Sequence, residues 1–256
     1  MKRSSTLGIL TALAFLAGGS LTAQDFSWSG RVSAGNSIEI KGISGNIRAV
    51  HTDGAEVEIT ADKEGPDRDE LTFEVVEHSG GVTICAMYPG RSNKPNECAP
   101  GNDGRMNTEY TKAAAHFEVR VPSGVLFVGK TVNGNVTASG LIADAEASTV
   151  NGNVSVTTQG WAEASTVNGN IKVTAGRADW QGSAHFSTVN GSIELTLPEG
   201  FNAEVEASTV NGDFYSDFPL TVQGKFGPRK ITGTIGDGGR KLKLETVNGS
   251  IRINKS

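Results

Sequence analysis

Beyond about residue 24, apolar and polar residues alternate along the chain with a period of two. In the run Lys241-Leu242-Lys243-Leu244-Glu245-Thr246, Leu242, Leu244 and Thr246 share one face, and past the next turn Ile251 and Ile253 continue it while Arg252 faces away. Ala203, Val205, Ala207 and Thr209 likewise alternate with Glu204, Glu206 and Ser208. A period of two marks a strand buried on one side. No segment sustains a helical period, and only the stretch around Lys112 to Ala115 could form a turn of helix.

The strands are punctuated by one phrase. Thr-Val-Asn-Gly occurs six times, with its asparagines at Asn133, Asn151, Asn168, Asn190, Asn211 and Asn248. A small polar residue and then an apolar or aromatic one follow each copy, and Ser44-Gly45-Asn46-Ile47 is a shorter relative. Successive copies are 18, 17, 22, 21 and 37 residues apart, the last interval being close to two units with one degenerate turn. Glycines fall near the middle of several units, at Gly140, Gly160, Gly176 and Gly200. Each unit therefore reads as two short strands and two corners, and repeats of this length signal a solenoid or a related array.

Two all-β architectures fit. The first is a single-stranded β-solenoid (β-helix) with stacked Asn-Gly corners, in which the glycine supplies positive φ and the six asparagines form a hydrogen-bonded ladder. The second is an antiparallel β-meander, because Asn-Gly between alternating strands is also a strong hairpin signal. Reuse of one phrase in one register favours stacking. On that reading Asn168 is central, Asn248 lies near the end of the stack, and alanine at Asn168 costs more.

The expected organisation is a secretory leader over 1–23, a divergent N-terminal β region or cap over 24–125, and the repeat solenoid over 126–256. Lys2 and Arg3, the apolar stretch from Leu7 to Leu16 and Leu21-Thr22-Ala23 form a signal-peptide pattern. No later segment is long and apolar enough to span a bilayer, so no membrane insertion of the mature chain is expected. The cap is expected because the open end of a repeat array exposes core and strand edges. Export places Cys85 and Cys98 in an oxidising compartment, where the pair is expected to staple an irregular loop at its base.

A formal net charge of −5 with no basic cluster argues against a nucleic-acid partner. His51, His78, His116 and His185 are scattered, and no nucleophile elbow, phosphate loop or metal-ligand spacing occurs. No catalytic set, cofactor or metal is expected; the segments 217–219 and 236–239 lack the nonapeptide of calcium-binding β-rolls. The place with the most promise for a sugar or cation is the acidic and aromatic cluster Asp213, Tyr215 and Asp217. Trp161, Trp180 and Phe201 fall near the second corner, where they either form an exposed platform for glycans or cap the thin core.

The repeated Thr-Val-Asn-Gly units, led by Phe117-Glu118-Val119-Arg120-Val121-Pro122-Ser123-Gly124-Val125, resemble the bacterial "putative adhesin" family of exported β-strand repeat proteins of unknown function. The resemblance runs from Phe26 to the end and implies a β-helical fold and an envelope or surface location. It supplies no functional residues, and the Cys85–Cys98 loop looks like an insertion relative to it. The expected function is a non-enzymatic exported protein, periplasmic or at the cell surface, acting as a scaffold or adhesin-like module for an envelope or surface macromolecule, protein or glycan. The alternatives are a polysaccharide-binding or polysaccharide-degrading β-helix, with Asp213 and Asp217 as its acids, and a periplasmic sensor of envelope stress.

Overall fold

In the computed structural model the described residues are 25–90, 95–108, 111–180, 182–222 and 230–256. The predicted leader lies outside them. Seven strands precede the first full repeat: β1 (Phe26–Gly30), β2 (Ser37–Lys41), β3 (Ile47–Thr52), β4 (Val57–Glu64), β5 (Thr72–His78), β6 (Gly81–Met87) and β7 (Ala114–Pro122). The repeats supply β8 (Leu126–Lys130), β9 (Val136–Leu141), β10 (Ala145–Ser148), β11 (Val154–Thr158), β12 (Ala162–Ser165), β13 (Ile171–Ala175), β14 (Ser183–Ser187), β15 (Ile193–Leu197), β16 (Ala203–Ser208) and β17 (Phe214–Ser216). The chain ends with β18 (Leu220–Val222), β19 (Lys230–Ile235), β20 (Lys241–Glu245) and β21 (Ile251–Lys255). One turn of 3-10 helix, Arg68–Glu70, is the only helix among the described residues.

The strands form two large mixed sheets, and neither closes into a barrel. The first runs β1-β4-β7-β3-β9-β11-β13-β15-β21-β17 and the second β18-β19-β16-β20-β14-β12-β10-β8-β2-β6-β5. Each Asn-Gly turn carries the chain from the second sheet to the first, as from β10 to β11, and so does not close a hairpin. Repeat strands pair in parallel and in register: Val154 with Ile171, Ile171 with Ile193, Ala145 with Ala162. The seven units β2–β3, β8–β9, β10–β11, β12–β13, β14–β15, β20–β21 and β16–β17 stack in that order in both sheets. Antiparallel pairing occurs toward the sheet ends, as in β1–β4, β5–β6 and β16–β19.

The core lies between the inner faces, and in the units β10–β11 and β12–β13 it is built from unequal partners. Val154, Val156, Ile171 and Val173 point in from the first sheet, while Ala145, Ala147, Ala162 and Ala164 answer from the second. Large against small lets the sheets approach closely, and each fully buried Val, Leu or Ile contributes about 1.5–3 kcal/mol.

Each residue of the repeated phrase has its own task at the corner. The threonine is buried and its hydroxyl donates to a glycine carbonyl of the neighbouring unit: Thr149 to Gly134 at 2.8 Å, Thr166 to Gly152 at 2.9 Å, Thr188 to Gly169 at 2.9 Å, Thr246 to Gly191 at 2.8 Å. The asparagine Nδ2 donates to the Oδ1 of the next asparagine, Asn151 to Asn133, Asn168 to Asn151, Asn248 to Asn190 and Asn211 to Asn248 each at 2.8 Å, and Asn190 to Asn168 at 2.7 Å. A Cβ on any of the six glycines would fall on a glycine carbonyl oxygen of the adjoining unit, so close approach demands glycine there. A second ladder runs two residues on, where Asn153 N donates to Asn135 Oδ1 and Asn170 N to Asn153 Oδ1, each at 2.8 Å.

The stack departs from chain order at its end, which the sequence reading missed. The 37-residue interval holds no degenerate corner among the described residues. It contains β18 and β19, which form an antiparallel hairpin against β16, and the last unit then inserts between β14–β15 and β16–β17. Asn248 is therefore interior, bonded on both sides, and Asn211 is terminal. Alanine at Asn168 and at Asn248 is expected to lower stability by similar amounts, about 2 kcal/mol each for two lost hydrogen bonds, against about 1 kcal/mol at Asn211. Urea midpoints of the three variants check this, and an effect at Asn248 that matches Asn211 instead of Asn168 would contradict the inserted order.

Candidate functional site

Alternation leaves the outer face of the second sheet polar, and one end of that face is covered. Strands β2 and β6 are buried on both sides, because the segment after β6 folds back over them. Its base is fastened by the Cys85–Cys98 disulfide, with the two Cα atoms 5.9 Å apart. Glu39, which alternation alone would place in solvent, is only 3% exposed, and Lys41 only 8%. Glu39 Oε2 accepts from Thr83 Oγ1 at 3.0 Å and from the Gly101 amide at 2.9 Å. Its other oxygen is met by charge alone, 2.9 Å from Lys130 Nζ and 3.8 Å from Lys41 Nζ. Lys41 donates to the Ala99 carbonyl, and Lys130 to the Gly101 carbonyl at 3.0 Å. Burial holds the Lys41 ammonium below its ordinary range, and Glu39 opposes that shift. A pair of lysines and one glutamate thus pin the loop to the sheet, a network that no spacing in the sequence announces.

Where the loop ends, a groove of about 340 Å³ opens along the same face. Asn102 forms its loop side; Lys130, Glu146, Ser148, Glu163, Ser165 and His185 line the sheet side. Glu146 and Glu163 are direct partners on adjacent parallel strands. Like charges so placed repel. Two other acids of this face have close partners: Glu206 has the Lys230 ammonium at 2.8 Å, and Glu245 has Lys243 at 2.8 Å and the His185 ring at 3.0 Å. Glu146 and Glu163 have no ion pair among the described residues. Burial, and then the Glu146 charge, push the Glu163 carboxyl above its ordinary range, with His185 acting the other way.

The acidic and aromatic cluster is only partly brought together. Tyr215, 48% exposed on the edge strand β17, donates to Asp213 Oδ2 at 3.3 Å, and the Arg252 guanidinium lies 4.9 Å from its ring centre. Asp217 Oδ2 instead accepts from the Lys255 amide at 3.2 Å, so the two aspartates serve different elements. Trp161, Trp180 and Phe201 are all buried. Trp161 stacks on Trp180 at 4.1 Å between ring centres, and Phe201 bridges Trp180 to Phe218, so the trio lines the second corner of the core and forms no exposed platform. The histidines are engaged separately, His51 with Asp53, His116 with Glu64 and His185 with Glu245. No group of three or more His, Cys, Asp or Glu side chains among the described residues is placed to hold a metal ion.

The raised Glu163 carboxyl yields a pH prediction. The folded state holds that proton more tightly than the unfolded chain, so stability falls as pH rises through the shifted range. Glu163→Gln is expected to raise the urea midpoint at neutral pH, with the gain vanishing at a pH low enough to protonate the glutamate in both states. A gain that persists unchanged at low pH would show that charge is not its cause.

Among solved structures, the chain is similar to a "putative cell adhesion protein" from Clostridium sporogenes, with 9% identity over 90% of this chain and 99% of that one and a TM-score of 0.44. It is also similar to a "putative adhesin" from Bacteroides fragilis, with 15% identity, 90% and 96% coverage and a TM-score of 0.34. A "putative lipid binding protein" from Parabacteroides distasonis shares 15% identity, with 91% and 97% coverage and a TM-score of 0.30. No curated protein matches the chain. The family model for Toastrack DUF4097 matches residues 19–254, and the chain belongs to that family.

Proposed function

We propose that the protein is a non-enzymatic, exported cell-envelope or surface protein, a rigid β-solenoid that holds a binding face toward a surface macromolecule. Parallel in-register units joined by corner ladders support the solenoid reading, with residues 24–125 as its N-terminal cap and 126–256 as its repeat body. The disulfide supports export, since such bonds persist in oxidising compartments. The binding face is the outer face of the second sheet. The observation that carries this is the Glu146–Glu163 pair, two like charges set side by side with no ion pair among the described residues, next to a loop fastened by a disulfide and a buried ion-pair network. A stable repeat fold gains nothing from that repulsion, whereas a partner bringing cationic or hydrogen-bond-donating groups relieves it.

The test is saturable binding of the mature chain to bacterial envelope material separated into polysaccharide and protein fractions. One fraction is expected to retain the protein, and the double variant Glu146→Gln with Glu163→Gln is expected to bind at least about tenfold more weakly, as for a central contact of an interface. Binding unchanged by the double variant, or no binding to either fraction, contradicts the reading.

A further inference from the structure

The six Asn-Gly corners share a chemistry that the stack treats unequally. In an Asn-Gly sequence the glycine amide nitrogen can attack Cγ of the preceding side chain, because glycine has no side chain to obstruct the approach. A bond forms between that nitrogen and Cγ, the Cγ–Nδ2 bond breaks, and Nδ2 leaves as ammonia, taking up the proton the glycine amide gives away. Water then opens the five-membered succinimide at either carbonyl, leaving aspartate or isoaspartate. Water and the peptide suffice, and no oxidant or reductant is involved.

Five corners are held against this reaction by the unit stacked on them. The glycine N–H groups all point the same way along the stack: Gly134 donates to the Asn151 carbonyl at 3.0 Å, Gly152 to Asn168 at 3.0 Å, Gly169 to Asn190 at 3.0 Å, Gly191 to Asn248 at 2.9 Å and Gly249 to Asn211 at 2.9 Å. A nitrogen donating along the stack axis is not free to turn onto its neighbour's Cγ. The Oδ1 atoms of these five asparagines also each accept from the next asparagine.

Among the described residues the unit β16–β17 is the last of the stack, and its corner has no successor there. The Gly212 amide has no hydrogen-bond acceptor among the described residues, and Asn211 Oδ1 accepts nothing there. Gly212 is exposed, whereas the other five glycines are half-buried. Asn133, at the far end of the ladder, keeps its protection because the N–H polarity directs Gly134 into the stack. We propose that Asn211 is a structure-selected site of spontaneous deamidation, and that the other five Asn-Gly turns are kept inert by stacking. The inference stands apart from the binding reading.

The product matters for this end of the molecule. A new carboxylate arises two residues from Asp213, whose own carboxylate accepts from Tyr215. In isoaspartate the main chain runs through Cβ and Cγ, one carbon longer beyond the Asn211 amide, which donates to the Val247 carbonyl at 2.8 Å, and the original Asn211 carbonyl, which accepts from Gly249, leaves the main chain as the free carboxylate. The terminal unit would lose register with β21 while the interior units stay intact, so the site dates the molecule from its open end.

The internal controls are unusually close, because Ser-Thr-Val-Asn-Gly is shared by the corners at Asn151, Asn168, Asn190 and Asn211. The folded mature chain is incubated in mildly alkaline buffer and digested, each Asn-Gly peptide is scored by mass spectrometry, and isoaspartate is counted by enzymatic methylation. Asn211 is expected to convert at least about tenfold faster than Asn168, the factor set by roughly one net hydrogen bond. In concentrated urea the difference is expected to collapse. Conversion of Asn211 no faster than Asn168 in the folded protein overturns the proposal. An excess at Asn211 that survives unfolding also overturns it, because the cause would then be the neighbouring Asp213 and not the stack.

Discussion

Each Asn-Gly corner approaches the next too closely to admit a Cβ, and the stacking of the repeat units depends on it. Parallel strands sit about 4.8 Å apart, and at the corners the glycine of one unit meets the glycine carbonyl of its neighbour with no room for a Cβ. Once corners stack at that distance, the threonine hydroxyl reaches a carbonyl of the adjoining unit and the asparagine amides meet end to end. Valine, the remaining residue of the phrase, points outward and is exposed, as Val150 and Val167 are. One spatial constraint therefore accounts for three of the four residues in a phrase used six times.

How much of this the sequence disclosed depends on whether the relevant contact is repeated. Strand alternation, inward alanines and valines, the corner asparagines and the Cys85–Cys98 pair were all legible, because each leaves a periodic or paired trace. The glycine's task was only partly legible: positive φ, expected at the stacked corner, occurs at Gly134 and Gly249, whereas close approach to a neighbouring carbonyl is shared by all six. Contacts made once were invisible. Nothing in Ser37-Ile38-Glu39-Ile40 distinguishes a glutamate buried beneath a loop from one in water, since the loop that covers it begins some fifty residues later. The insertion of β20–β21 ahead of β16–β17 was equally hidden, because parallel units with the same register signal are interchangeable on paper. The Glu146–Glu163 pair was in plain view as part of two Ala-Glu-Ala-Ser strands, but its register, and hence the repulsion, came only with the stack.

The two ends of the structure differ. Near the N-terminal end, a disulfide and a buried glutamate fix a loop to the polar face and shape a groove beside it. At the other end, the first sheet finishes on the three-residue strand β17, and the ladder finishes on Asn211, whose Oδ1 accepts nothing among the described residues.

The central claim is that lateral stacking of corners, and not chain order, fixes the neighbour of every strand. The most direct measurement is the set of backbone proton contacts across strands by NMR in the C-terminal third. The account predicts contacts from the Ile251 strand to both the Ile193 strand and the Phe214 strand. Direct contacts between the Ile193 and Phe214 strands, with the Ile251 strand outside them, would contradict it.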